Sequence, residues 1–260
     1  MLDLISFLTQ IPVRKNVKIE DVKAKSYLFP FVGVLIGFVV ALVAFVAFGL
    51  LGATTEIAAL LTLLALYLVT GLLHLDGLAD FFDGLMTPGG REDKRRAMKD
   101  NNIGIAGLFA VVIVLLLTLV AIKAVGADLT AAAGFTFDFG SLYGFAGVFV
   151  IAEVAAKLSM YTCLILGKGS RSAEGLGSQF IQSASPLNYL VALLSAVIIA
   201  VLFTFSFRFV LVFTGVIIAF VVSSIAKRKV GAVSGDVVGA SNELARCATL
   251  LIVAVLQIGL

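Results

Sequence analysis

Apolar residues run in long unbroken stretches along this chain, and the polar positions between them are bunched. Residues 31–51, "FVGVLIGFVVALVAFVAFGLL", hold no charged or hydrogen-bonding side chain. A bilayer hydrocarbon core about 30 Å thick takes about 20 apolar residues of helix to cross. By that measure seven segments predict transmembrane helices, approximately over 31–52, 57–75, 103–122, 141–166, 187–206, 209–226 and 244–260. The last is the weakest, being short and carrying Arg246 near its start. Ahead of them, "DLISFLTQIPV" is apolar but too short to cross, and suits an interfacial helix or the buried start of a bundle equally well. No repeat or low-complexity tract interrupts the pattern. The expected fold is an all-α, polytopic helical membrane bundle of about seven helices, a single integral membrane domain over residues 1–260.

Composition agrees with the pattern. Of the 260 residues 61% are hydrophobic and 13% charged, whereas a soluble domain runs about 45–50% apolar and about 25% charged. The basic residues then orient the chain. Arg14, Lys15, Lys18, Lys23 and Lys25 precede the first span, and Arg91, Lys94, Arg95, Arg96 and Lys99 follow the second. Lys168 and Arg171 follow the fourth span, and Lys227, Arg228 and Lys229 follow the sixth. With seven spans all of these lie on one side, leaving only Lys123 and Arg208 on the other. The positive-inside rule makes the first side, with the N-terminus, cytoplasmic. The net charge of +3 is therefore read as topology, and nucleic acid is not an expected partner. The start of the chain, interrupted by polar residues and Pro12, does not read as a cleaved signal peptide. Cys163 and Cys247, far apart in apolar stretches, suggest neither a disulfide nor a metal pair.

The candidate chemistry lies in the longest cytoplasmic segment, about residues 75–102. "HLDGLADFFDG", residues 74–84, carries three aspartates and the chain's single histidine. If the second helix continues through it, Asp80 lies about 40° from Asp76, and Asp83 about 20° to the other side, so all three share a face. His74 points nearly opposite, which makes it a supporting or packing residue. Gly77 and Gly84 leave room for a helix or a substrate to approach. Three like charges on one face call for a cation. Mg²⁺, a hard ion that binds carboxylates together with substrate phosphates, fits best, and Mn²⁺ would take the same ligands. The alternative is a plain solvated helix end. Asp76, Asp80 and Asp83 are thus the candidate catalytic and metal-binding residues, with Asp83 the candidate proton acceptor.

Other positions suit a phosphorylated substrate. Lys94 and Lys99 can neutralise phosphate oxygens, or can be ordinary topogenic charges. Asp100 can cap the next span or add a ligand. Arg171, Gly175 and Gly177 lie in a glycine-rich loop that reads as a substrate contact or as a connector. Asn242 and Glu243, near Asp236, read as substrate-binding residues or as helix capping, with Glu243 beside Arg246 at i,i+3. Glu153 and Lys157, at i,i+4, read as an ion pair inside the bundle.

The whole arrangement resembles a known family. "GLLHLDGLADFFDGL" followed by "RAMKDNNIGIAG" closely resembles the cobalamin synthase, or adenosylcobinamide-GDP ribazoletransferase, family. "ISFLTQIPV", "FPFVGVLIG", "SRSAEGLGSQF" and "GDVVGASNELARCATLL" are similar to its further motifs, in order along most of the chain. The resemblance implies a Mg²⁺-dependent enzyme of the cell membrane with its site facing the cytoplasm. It would transfer cobinamide phosphate from adenosylcobinamide-GDP to α-ribazole or its 5′-phosphate. GMP and adenosylcobalamin, or its 5′-phosphate, would be the products. Homo-oligomerisation is left open. A membrane CDP-alcohol phosphotransferase shares the metal logic and is the first alternative. A transporter is the second, disfavoured because the acids cluster at one boundary.

Overall fold

The computed structural model describes residues 1–13, 16–51, 54–131, 136–169, 175–204 and 207–256, and the regular structure among them is all helical. Short helices α1 (Leu2–Leu8) and α2 (Ile19–Ala24) lead into α3 (Phe29–Leu51) and α4 (Thr55–Thr70). Next come α5 (Leu73–Met86), α6 (Arg91–Ala97), α7 (Ile105–Ala131) and α8 (Phe139–Gly167). Then follow α9 (Leu176–Ser183), α10 (Pro186–Thr204), α11 (Phe213–Lys229) and α12 (Gly235–Val255). Six helices are long and apolar enough to cross a membrane, or seven if α4 and α5 count as one broken span. The apolar runs therefore match the helices, with one change of shape, one extension, since α7 runs on to Ala131 past the expected 122, and one change of starting boundary.

The change of shape is the second span. α4 stops at Gly71, whose φ of +68° is open to glycine at little steric cost, and α5 leaves at 93° to it. The segment expected to carry the acids straight on from a span instead runs across the bundle. The change of boundary is the last span. It begins at Gly235, earlier than the apolar run at 244, because Asn242, Glu243 and Arg246 find partners inside the bundle and do not end the helix.

α8 is the axis of the bundle. It is buried over 94% of its most apolar window, and a helix covered all round is expected at a core. Helices α3, α10, α11 and α12 pack around it. Glycines set the closest approaches. A Cβ on Gly33 of α3 would lie 2.8 Å from the Glu153 carbonyl oxygen, and one on Gly37 would lie 2.5 Å from the Val150 Cα. This is a Gly-x-x-x-Gly seam that lets two backbones meet. α1 buries Leu4 and Leu8, resolving its two readings toward a packed start of the bundle. Outward-facing Leu60, Leu64 and Leu68 of α4, Phe109 and Val120 of α7, and Phe220 of α11 are exposed, as a lipid-facing surface requires.

Inside this shell lies a polar chain linking α4, α8 and α12. Arg246 donates through Nε and Nη2 to Glu153 and through Nη1 to Glu243 at 2.6 Å. Lys157 lies 3.5 Å from Glu153 and donates to Asn242 Oδ1 at 2.7 Å. Asn242 donates to Glu243 at 3.0 Å, and the Tyr67 hydroxyl donates to Glu243 at 2.8 Å. Two acids thus meet two bases, and the remaining oxygens are met by neutral donors, as burial of charge demands. The sequence expectation of a Glu153–Lys157 pair holds, with Arg246 as the stronger partner. Cys163 and Cys247 are both buried free thiols.

Candidate active site

The site is built where α5 crosses the start of α12. α5 buries His74, Gly77, Leu78, Phe81 and Gly84 on one face and presents its acids on the other. Two glycines bring the backbones together. A Cβ on Gly77 would sit 3.0 Å from Asp236 Cα, and one on Gly239 would sit 3.2 Å from His74 Cα. Ser234 caps α12, accepting from Val237 N and donating to Asp236 Oδ2 at 3.1 Å. Asp236 is thereby held against the acidic face of α5.

The carboxylates feel one another. Partial burial first, and then Asp76, Asp236 and Asp83, push the Asp80 carboxyl up to about 6. None of Asp76, Asp80 and Asp236 makes an ion pair with a described cation. Among the described residues no three His, Cys, Asp or Glu side chains form a metal cage on their own. Mg²⁺ does not need one, since it commonly takes one or two carboxylates and fills its octahedron with water and substrate phosphate. Asp76 and Asp80, hard oxygen donors in no ion pair with a described cation, fit that ion.

Asp83 is placed differently. Its Oδ2 accepts from Gly104 N at 2.7 Å and its Oδ1 from Gly107 N at 2.8 Å. It caps the N-terminus of α7 from another helix, meeting amides that the helix leaves unpaired. Both oxygens of this expected proton acceptor are thus engaged by backbone amides. The shared face predicted from helical spacing is present, but the three acids on it have different partners.

A cavity of about 310 Å³ opens beside the cluster, lined in part by Asp76, Asp236, Lys99, His74, Gly77 and Gly177. His74 is only 5% exposed, and its Nδ1 is buried without a protein partner. Burial, with Lys157 and Arg246 nearby, holds its imidazole neutral. Helical spacing turned His74 away from the acids. The cavity wraps around α5, so both His74 and Asp76 reach it.

The remaining sequence candidates divide. Lys99 and Gly177 line the cavity. Gly175, at φ +107°, starts α9. Lys94 donates to the carbonyls of Leu85 and Thr87 at 2.9 and 2.5 Å, closing the end of α5. Asp100 accepts from the Asn102 backbone and side chain in an exposed turn, which keeps its carboxyl low. Asn242 and Glu243 belong to the buried polar chain and do not line the cavity. Arg171 lies outside the described residues. Sequence reasoning noted Asp236 beside Asn242 and Glu243 but did not place it among the site residues. Its signal was an acid between Gly235 and Gly239, small residues that allow another helix close by.

Comparison with known proteins agrees with the motif resemblance. Residues 1–254 match the family model described as cobalamin-5-phosphate synthase. An adenosylcobinamide-GDP ribazoletransferase from Halorubrum lacusprofundi is 38% identical over 253 residues, covering 95% of this chain and 93% of the relative. Those of Methanococcoides burtonii and Pyrococcus furiosus are 34% and 32% identical, covering 96% and 98% of this chain and 89% and 99% of the relatives. No solved structure matches the chain significantly. With motifs, acidic site and end-to-end similarity in agreement, this membrane protein belongs to the cobalamin-5-phosphate synthase family.

Proposed function

We propose that the chain transfers the cobinamide-phosphate group of adenosylcobinamide-GDP to α-ribazole or α-ribazole 5′-phosphate. The observation that carries this reading is the family match over residues 1–254, which includes every acid of the site. The products are GMP and adenosylcobalamin or its 5′-phosphate. Asp76 and Asp80 would hold Mg²⁺, or Mn²⁺, beside the donor's diphosphate. Such an ion supplies charge neutralisation at the phosphorus and at the departing phosphate.

The protein's own part is positioning and proton transfer. The ribazole 3′-hydroxyl oxygen attacks the cobinamide-bearing phosphorus, and the bond from that phosphorus to the GMP oxygen breaks. The hydroxyl proton passes to Asp236, which faces the cavity from α12. GMP leaves with the bonding pair. Lys99, also on the cavity wall, neutralises phosphate oxygen. Asp83 fixes the angle between α5 and α7 through the two amides it caps. The basic segments orient this face toward the cytoplasm.

The test is turnover by purified protein in liposomes with adenosylcobinamide-GDP, α-ribazole and Mg²⁺, following GMP and corrinoid by mass spectrometry. GMP release with cobalamin formation, both abolished by a chelator, is the expected result. Turnover of a CDP-activated alcohol in its place, or counter-flow without chemistry, would overturn the reading.

A further inference from the structure

We propose that the cavity beside the acids seats the base of the acceptor, a nucleoside with a flat, apolar, two-ring base, so that its ribose projects toward Asp76 and Asp236. This rests on the ribazole acceptor proposed above and adds where, and by what chemistry, that acceptor is recognised.

Size is the first argument. At about 310 Å³ the cavity is at the small end of ligand pockets, which run about 300–1,000 Å³. It suits a nucleoside and is far too small for a corrin ring with its side chains. The walls are the second argument. Phe7 and Phe180 stack with centroids 5.4 Å apart and planes 23° from parallel, and Phe29 lies 6.4 Å from Phe180. All three rings line the cavity with Leu164 and Leu176. A benzimidazole-type base offers two carbon-rich faces to such rings. Guanine seated among these rings would turn its edge donors and acceptors toward Phe and Leu side chains, which disfavours it at that end of the cavity.

The third argument is the polar end of the wall, where His74 lies. With Ser234, Asp236 and Lys99 on the same wall, the cavity combines apolar contacts for a base with polar contacts for a sugar.

The test measures the two substrates separately. Leu176→Trp narrows the cavity from a residue 40% exposed, where added bulk is tolerated. Phe180→Ala removes the central ring. Each should raise the KM for α-ribazole by about tenfold or more and leave the KM for adenosylcobinamide-GDP unchanged. His74→Leu should raise the acceptor KM, and His74→Asn should recover part of it. Equilibrium dialysis of α-ribazole without donor gives a readout independent of turnover. Binding to the wild type that is lost in Leu176→Trp supports the pocket even if no reaction occurs, so the two readings fail separately. An acceptor KM that stays constant in all the variants, or a donor KM that rises alone, would overturn the inference. So would wild-type protein that fails to bind α-ribazole.

Discussion

Two sets of carboxylates lie close together in this molecule and are treated in opposite ways. Asp236 and Glu243 are both on α12, separated by a rise of about 10 Å. Glu243, with Glu153, is buried among Arg246, Lys157, Asn242 and Tyr67. Asp236, with Asp76 and Asp80, meets no described cation, and the Asp80 carboxyl is pushed up by partial burial and then by its acidic neighbours. The paired acids hold three helices together. The unpaired ones have no cation partner among the described residues, and the Mg²⁺ proposed above would supply one. The difference teaches that in a membrane protein an acidic residue is assigned by its partners more than by its depth.

The strongest way to break this comparison is at the paired end. Arg246→Met leaves Glu153 and Glu243 without their main cation and should cost about 3–5 kcal/mol. A lower yield of folded protein and an earlier unfolding transition in detergent would show it. A variant that folds normally but turns over nothing would place the network in the site and dissolve the distinction.

At the unpaired end the expectation reverses. Asp76→Asn and Asp80→Asn should each cut GMP release by about 100-fold or more, with unfolding temperature unchanged or slightly raised because like charges have been removed. Loss of folding in both would show that these acids are structural.

Asp83 lies between the two classes, being an acid paired with amides. Asp83→Ala should cost about 0.5–2 kcal/mol from the lost cap on α7, with activity falling only as far as α5 shifts. Unfolding and turnover measured on the same preparation separate this from a direct chemical role.

The smallest effect is on pH. Folded Asp80 takes up a proton near pH 6, whereas its ordinary value is 3.8, so between these the folded state binds more protons than the unfolded one. Metal-free protein should therefore gain stability as pH falls from 7 through 6 toward 4, and lose it as pH rises through 6. Mg²⁺ should raise the unfolding temperature at pH 7, and its increment should shrink below about pH 6. In Asp80→Asn the part contributed by Asp80 should vanish, leaving the smaller part from Asp236, whose carboxyl burial also raises. Thermal unfolding with and without a chelator, across that range, measures all three.

The sequence shows the spans clearly because lipid-facing residues must be apolar for about 20 positions, and that requirement is local. The Glu153–Lys157 and Glu243–Arg246 pairs were legible for the same reason, being one helical turn apart. What stayed hidden depends on tertiary contact. The bend at Gly71 carries no proline or polar break to announce it. Asp236 joins the acids only because Gly77 and Gly239 let two backbones touch. Asp83 finds its partners 21 and 24 residues away, on the first turn of α7. Periodicity gives the face on which a side chain lies, and the neighbouring helix decides what that side chain meets.

The turn at Gly71 has one more effect, on the surrounding lipid. α4 has 16 residues, a rise of about 24 Å, against a hydrocarbon thickness of about 30 Å. The shelf made by α5 therefore either draws the bilayer thinner around this flank or sits sunken below the headgroups in a local depression. In both cases acyl-chain length becomes a variable of the chemistry, and the same protein is set at a different depth in each membrane it occupies.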